Sequence, residues 1–240
     1  MSKKMLLVPF LILVLVMAAF LIASRLNRPT STKDFGNGFY KNIETLNFDE
    51  ANSYLVLVDK NNRLQSNFSP SDLVLLNVLD YSQNPNTIIY MRQEAAEMVE
   101  QLFQAAAGEA GLILLGRSGY RSYETQVQVY ERYVEEHGQE EADLFSARPG
   151  HSEHQTGLAL DVTAHSVNGQ LVQEFGETPE GQWLKDNAHR FGFIISYPEG
   201  REAETGYMYE PWHIRFVGIE PASKIYENDW LLAQYLKTRG

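Results

Sequence analysis

The second half of this chain holds the residues best equipped for chemistry. His154 and Asp161 lie seven residues apart, and Glu210 and His213 lie three apart. Two imidazoles and a carboxylate can close three corners of a tetrahedral zinc site and leave the fourth for water, while a glutamate beside them can move protons. Three ligands with a spare glutamate match a catalytic site better than a structural one, which fills all four positions with protein groups. The combination reads as a metallohydrolase.

That reading sets conditions on the backbone. Along a continuous strand, residues seven apart point to opposite faces, so His154 and Asp161 can share a metal only if the chain turns between them. Thr156-Gly157 offers the turn, because glycine accepts conformations closed to other residues. In Glu210-Pro-Trp-His213, Pro211 prevents regular helix or strand, and the bend lets Glu210 and His213 converge. Trp212 either walls the site against water, raising the pKa of Glu210 for its work as a base, or simply packs in the core. His151 forms a three-residue pair with His154 that could also chelate. It ranks as a support for its neighbour or for the loop.

The elements that must hold these segments can be read from periodicity. Tyr54-Leu-Val-Leu-Val58 is predicted as a strand stopped by Asp59-Lys-Asn-Asn62. A helix is predicted over 92–107, ending at Gly108, with Ala95, Met98, Val99, Leu102, Phe103 and Ala106 on its apolar face. A buried strand follows over 112–115. A second helix is predicted over 122–137 with Ser122 as N-cap and Val127, Tyr130 and Val134 inward, and a third over 179–191. Strands are expected over 158–163, 193–196 and 213–217, and the stretch 222–237 is mostly helical. Helices precede a clustered set of strands, so the class is α+β with a mainly antiparallel central sheet and flanking helices. There is no internal repeat.

At 240 residues with a hydrophobic fraction of 44%, the chain is long enough for one well-buried domain plus an appendage. The appendage is N-terminal. Lys3 and Lys4 precede an uncharged apolar run over 5–23, whose length at a helical rise of about 1.5 Å per residue is roughly 28 Å, close to the thickness of a bilayer core. The segment 1–26 is therefore expected to be a membrane anchor or signal segment. The anchor is favoured because Ala23 and Ser24 make a weak cleavage site. The positive-inside rule then sends the rest of the chain outward. A Pro-, Ser- and Asn-bearing stretch over 27–48 reads as a linker, and 49–240 as the catalytic domain.

With no cysteine, the exported part has no disulfide and no thiolate ligand. Beyond residue 30 it carries 16 cations against 31 acids, which argues against nucleic acid or an anionic membrane surface as partner. A serine hydrolase is disfavoured too. Ser152 lies near two histidines, but no G-x-S-x-G elbow surrounds it.

Ser152-x-His154-x-x-Gly157-x-Ala159-x-Asp161 followed by Glu210-Pro-Trp-His213 resembles the signature of the VanY-type D-alanyl-D-alanine carboxypeptidases, zinc peptidases of bacterial cell walls with a hedgehog-like fold. The likeness extends through Ser118-Gly-Tyr-Arg-Ser122, Gly181-Gln-Trp-Leu184 and Thr205-Gly-Tyr-Met-Tyr209, and covers roughly 54–236. The resemblance implies Zn2+ on His154, Asp161 and His213, with Glu210 as general base. It also implies that Arg121, Gln126, Ser152 and Ser118 hold the substrate. A guanidinium suits that task, since it grips a terminal carboxylate through two hydrogen bonds.

The implied substrate is a peptidoglycan stem peptide or its precursor, met at the extracytoplasmic face of the bacterial membrane or in the wall, with the N-terminal segment in the membrane and a monomer as the expected state. An L,D-carboxypeptidase acting on tetrapeptide stems is the nearest alternative, and a non-catalytic wall-binding module the more remote one. One departure is visible. Where relatives often have arginine before the Tyr-Pro pair, this chain has Ser196, and Arg148 and Arg201 are the cations that could compensate.

Overall fold

Ala159, Leu160, Asp161, Val162 and Thr163 are all buried, as expected of an inner strand covered on both faces. In the computed structural model, which describes residues 39–81 and 88–239, this run lies inside a four-stranded sheet. The strands are β1 (Leu115–Ser118), β2 (Ala159–Thr163), β3 (Phe193–Ile195) and β4 (His213–Phe216), in the order β1-β2-β4-β3, with every pair antiparallel. The expected α+β class with an antiparallel central sheet is the class observed.

Alternation divides the sheet into two faces. Leu160, Val162, Ile214 and Phe216 point to one side and join the main core with Ala95, Val99, Leu102, Phe103 and Ala106 of helix α1 (Gln93–Ala110). Leu184 of α3 (Pro179–Asn187) packs there as well; between the two comes α2 (Tyr123–His137). The residues of β2 and β4 that alternate with these apolar ones are Ala159, Asp161, Thr163, His213 and Arg215. Register makes this arrangement specific, because Asp161 pairs with Ser118 on one side and with His213 on the other. Three of the singled-out residues thus occupy one rung. A slip of one position would send them into the apolar core.

Several local expectations need correction. Helix α1 runs through Gly108 and stops at Gly111, which adopts a left-handed φ of 68°. The Leu112 N–H returns to the Ala106 carbonyl, so residue 112 belongs to the helix cap and the strand starts only at Leu115. Ser122 caps α2 as expected, accepting from the Thr125 N–H, but Val127, Tyr130 and Val134 are half-buried and the fully buried side chain is Gln126. Tyr54–Val58 is not a strand. The carbonyls of Tyr54 and Val56 accept from the Arg215 guanidinium at 3.2 and 3.0 Å, so a side chain satisfies groups that a sheet neighbour would otherwise take.

Residues 1–38, including the expected anchor and most of the expected linker, lie outside the described residues. From residue 39 onward the linker stretch makes specific contacts. Tyr40 lies under the Arg148 guanidinium at 4.0 Å and meets the His151 ring edge-on at 5.0 Å. Glu44–Thr45 pairs in parallel with Asn62–Arg63. Among the described residues no helix is long and apolar enough to cross a membrane.

Candidate active site

The Ser152–Asp161 segment folds as the chemistry requires. Glu153–Thr156 makes a 3-10 turn that Gly157 closes at φ 69°, with its N–H returning to the His154 carbonyl at 3.2 Å. Thr156 Oγ1 donates to the Glu153 carbonyl and accepts from the Leu158 N–H, fixing the corner from both sides. A Cβ at 157 would stand 2.9 Å from Leu73 and 3.0 Å from Arg92, so glycine answers both the conformation and the space. The second segment is also a turn. His213 N–H bonds the Glu210 carbonyl at 3.1 Å across Pro211-Trp212, and the Glu210 N–H is held by the Tyr197 carbonyl at 3.0 Å.

These two turns bring His154, Asp161 and His213 together, all buried, with one donor atom of each within 4.8 Å of the others. His154 Nδ1 donates to the Gly119 carbonyl at 2.8 Å and Nε2 lies 3.3 Å from Asp161 Oδ2. His213 is turned the other way, with Nδ1 3.0 Å from Asp161 Oδ1 and Nε2 2.9 Å from Glu153 Oε2. The donor set, two imidazoles and one carboxylate with each imidazole's remote nitrogen already engaged, suits a divalent cation such as zinc.

The electrostatics agree with that fit. Burial lowers the His154 pKa, with Arg121 and His213 adding to the effect and Asp161 opposing it, so this imidazole is neutral and can offer a lone pair. Burial pushes against ionisation of Asp161, yet His154 and His213 outweigh it and hold the carboxyl well below its usual range. Burial likewise lowers the His213 pKa, but hydrogen bonds to Asp161 and Glu153 reverse this and raise it to about 10. The His213 Nδ1 faces Asp161, the direction from which a cation would be held. Glu210 differs from the other carboxylates. It is buried, and burial together with the charges of Asp161 and Glu153 raises its pKa to about 8, against the pull of His213 and Arg121. A carboxyl poised there can both accept and return a proton near neutral pH.

Arg121 adjoins the group, its N–H bonded to the His154 carbonyl at 3.1 Å. Its guanidinium is braced by Gln126 Oε1 at 2.8 Å and Ser118 Oγ at 2.9 Å, and Gln126 is in turn tied to the Ala147 carbonyl at 2.6 Å. Ser152 is buried next to Glu153. His151 is not among the convergent donors. It bonds the Asp59 carbonyl at 2.8 Å, which makes it a loop support.

Sequence reasoning missed Glu153 and Arg215. Arg215 is wholly buried and donates to Glu153 Oε1 at 3.2 Å, while Ser196 Oγ donates to Glu153 Oε2 at 2.7 Å. Ser196, where relatives often have arginine, thus places a hydroxyl on the same carboxylate that Arg215 of β4 engages. Arg148 is paired with Asp143 at 2.6 Å and Arg201 is engaged by Glu204. An arginine between Ile214 and Phe216 in an apolar strand was the available signal, since a buried charge needs a partner.

A family model described as VanY, D-alanyl-D-alanine carboxypeptidase, matches residues 88–219. The putative carboxypeptidase YodJ of Bacillus subtilis (strain 168) is 42% identical over 195 residues, covering 81% of this chain and 70% of YodJ. The solved structure of the LdcB LD-carboxypeptidase matches with a TM-score of 0.76 at 41% identity, over 82% of this chain and 91% of that one. A mutant of the vancomycin-resistance D,D-pentapeptidase VanY in complex with Zn(II) matches with a TM-score of 0.62 at 33% identity, over 76% and 98%. Sequence, fold and convergent His-Asp-His group point the same way, and the chain belongs to the VanY family of D-alanyl-D-alanine carboxypeptidases.

Proposed function

We propose that this chain is a zinc-dependent carboxypeptidase that removes the terminal D-alanine from peptidoglycan stem peptides. The observation that carries the reading is the buried convergence of His154, Asp161 and His213 beside a buried glutamate, Glu210. His154 through Nε2, His213 through Nδ1 and Asp161 through its carboxylate would hold the metal. When bound, zinc supplies Lewis acidity toward a carbonyl oxygen and acidifies a water.

The remaining steps belong to the protein. Glu210, a buried carboxyl whose pKa burial raises, takes a proton from the attacking water and returns it to the departing amine. Arg121, its plane fixed by Ser118 and Gln126, receives the terminal carboxylate of the peptide, a task the family resemblance also assigns in part to Ser152. Holding the chain end sets which peptide bond faces the site, which is what makes an exopeptidase. The uncharged apolar run over 5–23 supports attachment to the membrane with the catalytic domain on the extracytoplasmic side, where the wall is built.

A second reading is favoured by a specific observation. The similarity to LdcB, an LD-carboxypeptidase, is higher in both identity and TM-score than that to VanY. Removal of the single D-alanine of a tetrapeptide uses the same groups. Mass spectrometry of defined penta- and tetrapeptide stems, incubated with and without a chelator, separates the two. Chelator-sensitive loss of D-alanine from the pentapeptide is expected, loss from the tetrapeptide alone selects the second reading, and loss from neither overturns both.

A further inference from the structure

An imidazole carries two nitrogens, and the ring can rotate to exchange their positions. A histidine that must present Nδ1 therefore needs its Nε2 held by something else. For His213 that partner is Glu153 at 2.9 Å. The carboxylate is buried and has no freedom of its own. Oε2 also accepts from Ser196 Oγ at 2.7 Å, and Oε1 accepts from Arg215 at 3.2 Å. Arg215 is anchored in turn by the carbonyls of Tyr54, Val56 and Phe216 at 3.2, 3.0 and 3.1 Å.

We propose that Glu153, fixed by Arg215 and Ser196, is the positioning residue that holds His213 by Nε2 and turns its Nδ1 toward Asp161 and His154 to receive a divalent metal. The proposal rests on the reading of those three residues as ligands. It links the Tyr54–Val58 strap to the centre through Arg215. Neutralising Arg215 would occupy only Oε1. The second oxygen is aimed at the imidazole and pinned there by Ser196, and Tyr197 limits ring tilt further, its ring 5.0 Å from that of His213. These are the features of a ring clamp, and a counter-ion alone does not need them.

The test is zinc affinity, measured by competition with a chromophoric chelator, together with the visible spectrum of the cobalt-loaded protein and unfolding of the metal-free protein. Glu153→Gln keeps the size but cannot serve both the guanidinium and the hydroxyl as an acceptor. It should weaken zinc binding by about 10–100-fold, shift the cobalt bands and lower kcat more than it changes KM. Lower stability of the metal-free variant with zinc affinity and cobalt bands unchanged would make Glu153 a mere counter-ion and overturn the proposal.

If Glu153→Gln fails to fold, Ser196→Ala leaves the Glu153–Arg215 pair intact and reads the same role. Weaker zinc binding restored by Ser196→Thr supports the clamp, and unchanged binding overturns it. A wild-type protein that binds no zinc would instead remove the ligand assignment itself, an outcome distinct from either variant result.

Discussion

His154 and His213 meet edge to face, ring centroids 5.0 Å apart and planes at 82°, and turn unlike nitrogens toward the aspartate between them. His154 offers Nε2 because the Gly119 carbonyl holds its Nδ1, whereas His213 offers Nδ1 because Glu153 holds its Nε2. The difference follows from how each ring arrives. One comes from a 3-10 turn beside β1 and the other from the first position of β4. Neither choice of nitrogen is free once the outer partner is in place.

Glu210 lies outside the convergent donor set, so removing its carboxylate should spare the metal. Glu210→Gln is expected to keep the zinc content of the wild type and to lower D-alanine release by roughly 10²–10⁴-fold. Metal analysis beside an assay for free D-alanine checks both. Turnover at the wild-type rate would strip Glu210 of its role.

Arg121 is braced on two sides, so its guanidinium presents a fixed plane to a carboxylate. Arg121→Lys keeps the charge and loses the fork, and kcat/KM should fall by roughly 10–100-fold, the scale of a charge-assisted hydrogen bond of about 1.5–3 kcal/mol. Zinc content should not change. A substrate amidated at its C-terminus offers no carboxylate to grip and should be cleaved equally poorly by wild type and variant. A further drop in the variant would place Arg121 elsewhere in the reaction.

Lys60 yields a prediction about pH. Its amine is buried under the ring of Tyr207 at 4.4 Å and donates to the Asp143 carbonyl at 2.6 Å. Burial lowers its pKa from the ordinary 10.5 to about 8, with Asp143 opposing and Arg148 assisting. Between these values the unfolded chain holds more of this proton than the folded one, so the contribution of Lys60 makes the protein more stable as pH rises from 8 toward 10.5. The slope is at most about 1.4 kcal/mol per pH unit. Lys60→Met should remove it. Urea midpoints of both proteins across pH 7.5–10 give the comparison, and a stability difference independent of pH would contradict the assignment.

The sequence by itself determined which residue types could gather a metal and where the chain had to bend. Gly157 and Pro211 mark those bends because their backbone restrictions are local, and the stripe of α1 is legible because helical period and burial coincide in one element. The helix end at Gly108 was misplaced because an alanine-rich helix can carry one glycine through to Gly111, where the chain actually turns left-handed. The run over 54–58 has the composition of a strand, but pairing is a property of neighbours, and there a buried arginine takes the place of a neighbouring strand.

Only the tertiary structure decided the register that sets Ser118, Asp161 and His213 on one rung, and with it the nitrogen that each histidine presents. It alone decided the partner of Arg215, a residue 62 positions away in sequence at Glu153. Such choices depend on long-range packing. A buried charge dictates that a partner exists, while the fold dictates which one it is.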